Sequence, residues 1–357
     1  MWLGLLNIFC YTPGLLWLRA QEKDYARIDM NNPLISVVIP NYNHAAYLSQ
    51  RIDTVLNQTF QDIEIIILDD CSTDHSREII EAYARDHSHI RTCFNQQNSG
   101  SPFAQWNKGV DMARGEYVWI AESDDYADSE FLNTLIVPLN NYPEVSVAYC
   151  QSFIVDEIGQ VTGTAEAWTN DLDSQRWKKE FINQGSRECW YLLYKNTILN
   201  ASAVLFRKST FLEVGRGDSS MKMTGDWLVW MKMLLIADVY FSPIPLNYFR
   251  THSGTTREVA ETEKILRRAD EAYKVLGYGL NHVVLSKEEK ESVLQSVFIR
   301  VANSLPLRLI FSSHIKKLIS IVQTVDPKVK KRIKVYLPIL CKRFRTYFLT
   351  LKRKSTQ

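Results

Sequence analysis

Asp69 and Asp70 close an apolar run over residues 63–68, and Glu122, Asp124 and Asp125 follow another over residues 117–121. Strand stability does not call for adjacent carboxylates. At least one member of the first pair therefore either meets a ligand donor or caps the next turn through local backbone bonds, which Asp does readily. Glu122, Asp124 and Asp125 repel one another, and crowding drives such groups towards their neutral forms unless a cation sits among them. A hard divalent ion answers that need, because carboxylate oxygens suit Mg²⁺ or Mn²⁺ and such an ion characteristically carries substrate phosphates. The plainer alternative is a solvated acidic turn ahead of a helix near residues 128–132. Asp226 lies in Thr224-Gly225-Asp226-Trp227, just before an apolar helical stretch. It is either a helix cap or a general base aimed by the helix start. Arg250 and His252, in Arg250-Thr251-His252-Ser253-Gly254, form a candidate phosphate-binding pair, although a lone histidine is more often structural.

These residues need elements to hold them. Residues 35–39 form an apolar run ending at Pro40, and Leu48, Ile52, Val55 and Leu56 then recur on one helical face. Residues 63–68 read as the next strand, and the turn Ser72, Thr73, Asp74 supplies a cap for a helix carrying Ile79, Ile80 and Tyr83. A loop at Asn98-Ser99-Gly100, a helix over 103–113 and a strand over 117–121 continue the alternation. Such alternation predicts an α/β sheet with covering helices. In open sheets of this kind ligands gather at the carboxyl ends of strands, so both acidic groups are expected at one site. Further on, residues 145–150 and 200–206 read as strands, 227–236 as a helix and the region near 239–241 as a strand. Residues 156–191, rich in Trp and polar side chains, fit neither period. From Glu261 onward the pattern is helical, with Ser286 and Glu289 spaced as a capping box.

With 357 residues, 46% hydrophobic and 23% charged, the chain exceeds the usual size of one domain, which predicts one large domain plus an extension. The net charge of +2 conceals an asymmetry: residues 308–354 carry fourteen Lys or Arg against the single Asp326. Six scattered cysteines without a CxxC pair or a His cluster fit a reduced, cytosolic chain. The first eighteen residues are apolar and uncharged but contain Asn7, Pro13 and Gly14, and Arg19 follows the run, unlike a secretory signal. They are either a membrane segment or a leader ahead of a start at Met30. Neither a GxGxxG after the first strand nor a GxxxxGK[ST] is present, so dinucleotide binding and P-loop chemistry are not supported. A GxSxG elbow is also missing.

Taken in order, Ser36-Val37-Val38-Ile39-Pro40-Asn41-Tyr42-Asn43, Leu68-Asp69-Asp70-Cys71-Ser72-Thr73-Asp74 and Gly115 through Ile120-Ala121-Glu122-Ser123-Asp124-Asp125 resemble the family 2 glycosyltransferases of the GT-A fold. Asn98-Ser99-Gly100 and Gly225-Asp226-Trp227 fall in that family's order, and the resemblance spans about residues 34–257. It implies a Rossmann-like nucleotide-binding sheet with flanking helices over residues 31–257, preceded by a leader over 1–30 and followed by a helical, basic extension over 258–357. Pro40 and Tyr42 would line a nucleotide base pocket, with Asp70 bonded to the base and Asn98 and Gly100 beside the donor. Asp124 and Asp125 match the motif that holds Mn²⁺ or Mg²⁺ on the donor diphosphate, and Asp226 matches the catalytic base of an inverting transfer. Two departures stand out. Glu122 occupies the place of the motif's first Asp, leaving the ligands within Glu122, Asp124 and Asp125 open by a position or two. Trp106 precedes Asn107 where many relatives carry Arg, so Lys108, or Arg250 with His252, would supply the missing charge.

The implied reaction moves a sugar from a nucleotide-sugar co-substrate to a glycan or lipid-linked acceptor, as in cell-surface polysaccharide assembly. A nucleotidyltransferase and a non-catalytic sugar-nucleotide-binding subunit are the competing readings. Ile315, Leu318, Ile319, Ile321 and Val322, and later Tyr336, Leu337, Ile339, Leu340, Phe344, Tyr347 and Phe348, interleave with the cations. That pattern suits a helix on an anionic membrane surface, placing a cytoplasmic enzyme at the inner face of the cell membrane. Equally, it suits a stripe packed on the catalytic domain with its charges in water. No nucleic-acid motif accompanies the charge, so a nucleic-acid partner is not expected.

Overall fold

The computed structural model describes residues 33–252, 262–305 and 313–336. The apolar leader and the cationic end after residue 336 lie outside the described residues.

The first half alternates as its periodicity predicts: β1 (Ile35–Asn41), α1 (Ala45–Leu56), β2 (Ile63–Asp69), α2 (Ser76–Asp86), β3 (Ile90–Phe94), α3 (Pro102–Met112) and β4 (Tyr117–Ile120). β1 and β2 are buried at every position, which is why they read as unbroken apolar runs. All four strands are parallel, with β1 central between β2 and β4. β3 went unnoticed in the sequence because, after Ile90, it is only half-buried.

The second half is mixed. β5 (Tyr126–Ala127), α4 (Phe131–Asn141), β6 (Val145–Val155), β7 (Val161–Thr164) and β8 (Phe181–Asn183) precede α5 (Gly185–Tyr194), β9 (Val204–Arg207), α6 (Lys208–Glu213), α7 (Gly225–Leu234) and β10 (Asp238–Arg250). The sheet runs β3-β2-β1-β4-β9-β6-β10-β5, with β7 on β6 and β8 on β10. β9 runs antiparallel to both neighbours. It begins only at Val204, because Asn200 accepts a bond from the Ser202 amide and starts a single tight turn in place of the expected strand over 200–206. β10 is far longer than the expected segment near 239–241. Its register shifts around Pro245 break the strand pattern in the sequence without ending the strand.

The C-terminal helices are α8 (Thr262–His282), α9 (Lys287–Ser304) and α10 (His314–Gln323). The capping box at Ser286 and Glu289 forms as predicted. Leu266, Ala269, Tyr273 and Leu276 of α8 share one core with Trp230 and Met231 of α7. Gly279 lets this packing occur, since a Cβ there would stand 2.6 Å from Leu193 Cδ2. The expected extension after residue 257 is thus built into the catalytic core. The apolar stripe of α10 is also packed: Leu318 and Val322 are 5% and 3% exposed in that same core, with Ile315, Ile319 and Ile321 against it. In α10 the apolar residues therefore take the packed alternative, while the second stripe from Leu337 to Phe348 lies outside the described residues. Asp326 is buried with Arg332. No helix among the described residues is long and apolar enough to cross a membrane.

Candidate active site

The carboxyl ends of β1, β2 and β4 open on a cleft of about 510 Å³, within the usual range for small-molecule sites. Pro40, Tyr42, Asp70, Asn98, Gly100, Glu122, Asp124, Asp125 and Asp226 all line it. Residues from separate strand ends and from the start of α7 therefore meet in one place.

The turns after β1 and β2 clasp each other. Asn41 Nδ2 donates to Asp69 Oδ1 (2.9 Å) and Ser72 Oγ (3.2 Å), while Asn43 Oδ1 accepts from the Thr73 amide (2.7 Å). Asn43 and Cys71 take left-handed φ of 57° and 65°, an uncommon state for residues with side chains. Asp69 and Asp70 split the two duties proposed for them. Asp69 Oδ2 accepts from the Ser72 amide and holds the turn. Asp70 faces the cleft: its Oδ1 accepts from Asn95 Nδ2 (2.6 Å), the Ser99 amide (2.9 Å) and Gln105 Nε2 (2.8 Å), and its Oδ2 from Ser99 Oγ (2.7 Å). It thereby shapes the loop that presents Asn98 and Gly100. Gly100 has a φ of 68°, and a Cβ there would lie 3.4 Å from Lys222 Nζ. Glycine is needed for the conformation and brings the backbone against a cation from the opposite wall.

The acidic group after β4 proves to hold three different environments. Glu122 accepts from Trp106 Nε1 at 2.8 Å, so the two departures from the family pattern are partners. Burial, then the charge of Asp124, pushes the Glu122 carboxyl up to about 8, leaving it largely protonated at neutral pH. Asp125 accepts from the Arg250 amide (2.9 Å) and Asn200 Nδ2 (2.8 Å), tying β10 to the strand end. Burial and the neighbouring Asp124 raise its pKa. Asp124 moves the other way: burial acts to raise its pKa, but the bond from His252 Nε2 at 3.1 Å and the nearby His44 more than offset it. At neutral pH Asp124 is charged and Asp125, raised only to about 6, is mostly so, whereas Glu122 is not.

Part of the counter-charge comes from the protein. Arg51 is wholly buried beneath the cluster, with Nε donating to the Glu122 carbonyl (2.9 Å). Its Nη1 and Nη2 have no hydrogen-bond partner among the described residues. Burial draws its pKa down to about 10 against the pull of Asp125, Asp124 and Glu122.

Among the described residues, one group has metal-ligand geometry: His44, Asp124 and His252 each offer an atom within 4.8 Å of the others. Metal–ligand bonds of about 2.0–2.2 Å place two ligands up to roughly 4 Å apart, so a small contraction fits these residues around an ion. His44 Nδ1 lies 2.8 Å from Ser123 Oγ, which fixes the ring. The set offers two imidazoles and one carboxylate to a divalent ion. Glu122 and Asp125, expected as ligands, stand outside this group, with Glu122 Oε1 bonded by Trp106 and both Asp125 oxygens bonded by Arg250 and Asn200.

Two other expectations are corrected. Lys108 Nζ donates to Asn95 Oδ1 and supports the Asp70 network from behind, without lining the cleft. The Arg250 guanidinium donates to the carbonyls of Asp124 (2.8 Å) and Glu157 (2.8 Å) and to Gln50 Oε1 (2.6 Å), and lies 4.7 Å over the Tyr47 ring. Its donors are thus taken up by the wall itself.

The opposite wall is the loop over residues 217–224 and the start of α7. Asn107 and Gly217 exchange two bonds (2.8 and 3.0 Å), and Ser101 Oγ donates to the Met221 carbonyl (2.8 Å). This loop places Lys222 in the cleft lining. Sequence reading missed Lys222 and also His44, whose only signal is its place directly after Asn41-Tyr42-Asn43 at the end of β1. Asp226 is in the first turn of α7, where a carboxylate suits the helix dipole. It accepts from Asn196 Nδ2 at 2.9 Å. Gly225 permits the approach, since a Cβ there would stand 2.5 Å from the Phe103 ring.

A parallel nucleotide-binding half continued by a mixed half, with acids at the shared strand ends, defines the GT-A class of α/β fold. The sequence model for glycosyl transferase family 2 matches residues 36–202, a little under half of the chain. It is 28% identical over 231 residues to an uncharacterized glycosyltransferase of Rickettsia typhi, covering 64% of this chain and 67% of the relative. A GalNAc(5)-diNAcBac-PP-undecaprenol beta-1,3-glucosyltransferase of Campylobacter jejuni is 28% identical over 167 residues, 47% of this chain and 53% of the relative. The fold resembles that of S. aureus TarS 1-349 in complex with UDP-GlcNAc, with a TM-score of 0.62, 19% identity and coverage of 84% and 83% of the two chains.

Proposed function

We propose that this glycosyltransferase moves a sugar from a nucleoside-diphosphate sugar to a hydroxyl of a glycan or lipid-linked acceptor, inverting the anomeric centre. The observation that carries the reading is the shared cleft of Asp70, Asp124 and Asp226. Pro40, Tyr42 and the loop shaped by Asp70 receive the nucleoside, and Lys222 beside Gly100 faces the diphosphate. Asp226, aimed by the first turn of α7 and by Asn196, accepts the acceptor hydroxyl proton as that oxygen bonds to the anomeric carbon. The anomeric carbon–oxygen bond breaks in the same step, and its electrons leave with the nucleoside diphosphate. Asp124, His252 and His44 would hold a divalent ion, which would supply Lewis-acid charge to that leaving group. Glu122, kept neutral by burial and bonded to Trp106, adds no further negative charge at neutral pH. The Campylobacter relative, whose name specifies an undecaprenol-linked acceptor, supports a lipid-linked acceptor.

The test is incubation of the full chain with a panel of nucleotide sugars, undecaprenol-linked and glycan acceptors and Mn²⁺, with products read by NMR. Release of nucleoside diphosphate and a product of inverted anomeric configuration is expected. Retained configuration would refute inversion, and release of pyrophosphate would identify a nucleotidyltransferase. Donor binding without turnover on any acceptor would favour a sugar-nucleotide-binding subunit.

A further inference from the structure

One buried carboxylate is used by nothing described so far. Glu271, on α8, is 2% exposed, and its two oxygens accept from three consecutive backbone amides on the far cleft wall. The Lys222 amide donates to Oε1 at 2.9 Å, and the Met223 and Thr224 amides donate to Oε2 at 2.9 and 2.8 Å. Successive amides converging on one anion at a helix start form the arrangement by which proteins hold phosphates. Here the helical extension fills it from inside. The three residues end at Gly225, where α7 begins, and Asp226 follows immediately. The loop ahead of them is anchored at Met221 by Ser101 and at Gly217 by Asn107, across the cleft. Without Glu271, three consecutive amides at the root of the turn would lose their charged acceptor, and bonds to a charged group are the more costly ones to lose.

We propose that Glu271 is a positioning residue for sugar transfer: by bonding the amides of residues 222–224 it fixes Lys222 against the donor and Asp226 against the acceptor. The inference rests on the transferase reading for its kinetic arm, whereas the held turn itself is independent of that reading. It also gives the C-terminal helices a part in catalysis that the apolar packing of α8 alone does not require.

The decisive variant is Glu271→Gln in the full chain, which keeps size while replacing one acceptor oxygen with an amide that faces donors. Leu318→Ala serves as the comparison, because it weakens the same helical extension without touching the turn. Glu271→Gln is expected to lower kcat about 10- to 100-fold, the scale on which small misplacements act, and to raise donor KM. In an Asp226→Asn background it should add little further loss. Hydrogen exchange at residues 222–224 should quicken about tenfold or more in Glu271→Gln, as expected when bonds to a charged acceptor are lost, and stay unchanged in Leu318→Ala. Wild-type kcat in Glu271→Gln, or an equal kcat loss in both variants, overturns the proposal. Rapid exchange of these amides in the wild-type chain also overturns it, and that result needs no variant that folds. If the wild-type chain transfers no sugar while the amides are protected and Glu271→Gln releases them, it is the transferase reading that fails and the held turn that survives.

Discussion

Asp70 and Asp226 face the same cleft but are held in opposite ways. Asp70 hangs from the end of a buried parallel strand, and its partners Asn95, Ser99 and Gln105 lie 25, 29 and 35 residues away. The turn carrying Lys222 and leading to Asp226 is held by Asn107 and Ser101, at separations of 110 and 120 residues, and by Glu271 from the other direction. The wall at Asp70, built of near neighbours, is one βαβ unit with its loop. The wall at Asp226, built of distant ones, exists only once the whole chain has packed.

That contrast can be broken most sharply at Asp226. Asp226→Asn should reduce turnover about 10²- to 10⁴-fold, as loss of a general base does, with donor affinity unchanged by titration calorimetry. A matching loss of donor affinity would mean that the two walls are not functionally separate. Next in size is Leu318→Ala, which removes a buried side chain that packs α10 on the core and should cost about 2–5 kcal/mol in denaturant unfolding. Normal stability together with loss of vesicle binding would return α10 to the membrane surface. Asp70→Ala removes a charged acceptor of four bonds and should weaken nucleoside diphosphate binding about 10- to 100-fold. Its effect on turnover at saturating donor should be much smaller than that of Asp226→Asn.

The last prediction concerns Glu122 and pH. Its folded pKa of about 8 lies above the ordinary value of 4.5, so the folded state binds the proton more tightly than the unfolded chain. Its contribution to stability is full below about pH 4.5 and is lost as the pH rises towards 8. Glu122→Gln should therefore raise the melting temperature more at pH 8 than at pH 5 when measured with a chelator. An equal change at both values would show that Glu122 is ionised in the folded protein.

The wall at Asp70 was legible because its signals are local: apolar runs ending in Asp69 and Asp70, and a glycine loop before a helix. The acidic motif was legible as a place but not as a set of roles. Glu122, Asp124 and Asp125 look alike in sequence, and only Trp106, Asn200, Arg250 and His252 distinguish them. Arg250 and Lys108 were credited with phosphate contacts because a cation near a motif does not reveal which way it points. Lys222 and Glu271 carried no signal at all. One is an exposed lysine in a loop, and the other is one acid among many on an amphipathic helix; their meaning depends on contacts between separate elements.

The place of β10 in the sheet sets an order of assembly. It is the last strand of the described chain, yet it lies between β6 and β5, and its Arg250 amide reaches Asp125 across 125 residues. On the ribosome the parallel strands can pair early, but the acidic turn after β4 waits without Arg250 and His252 until β10 emerges. Until then, the cluster's mutual repulsion works against closing the sheet. The nascent protein therefore completes the corner around Asp124 in one of its final folding events.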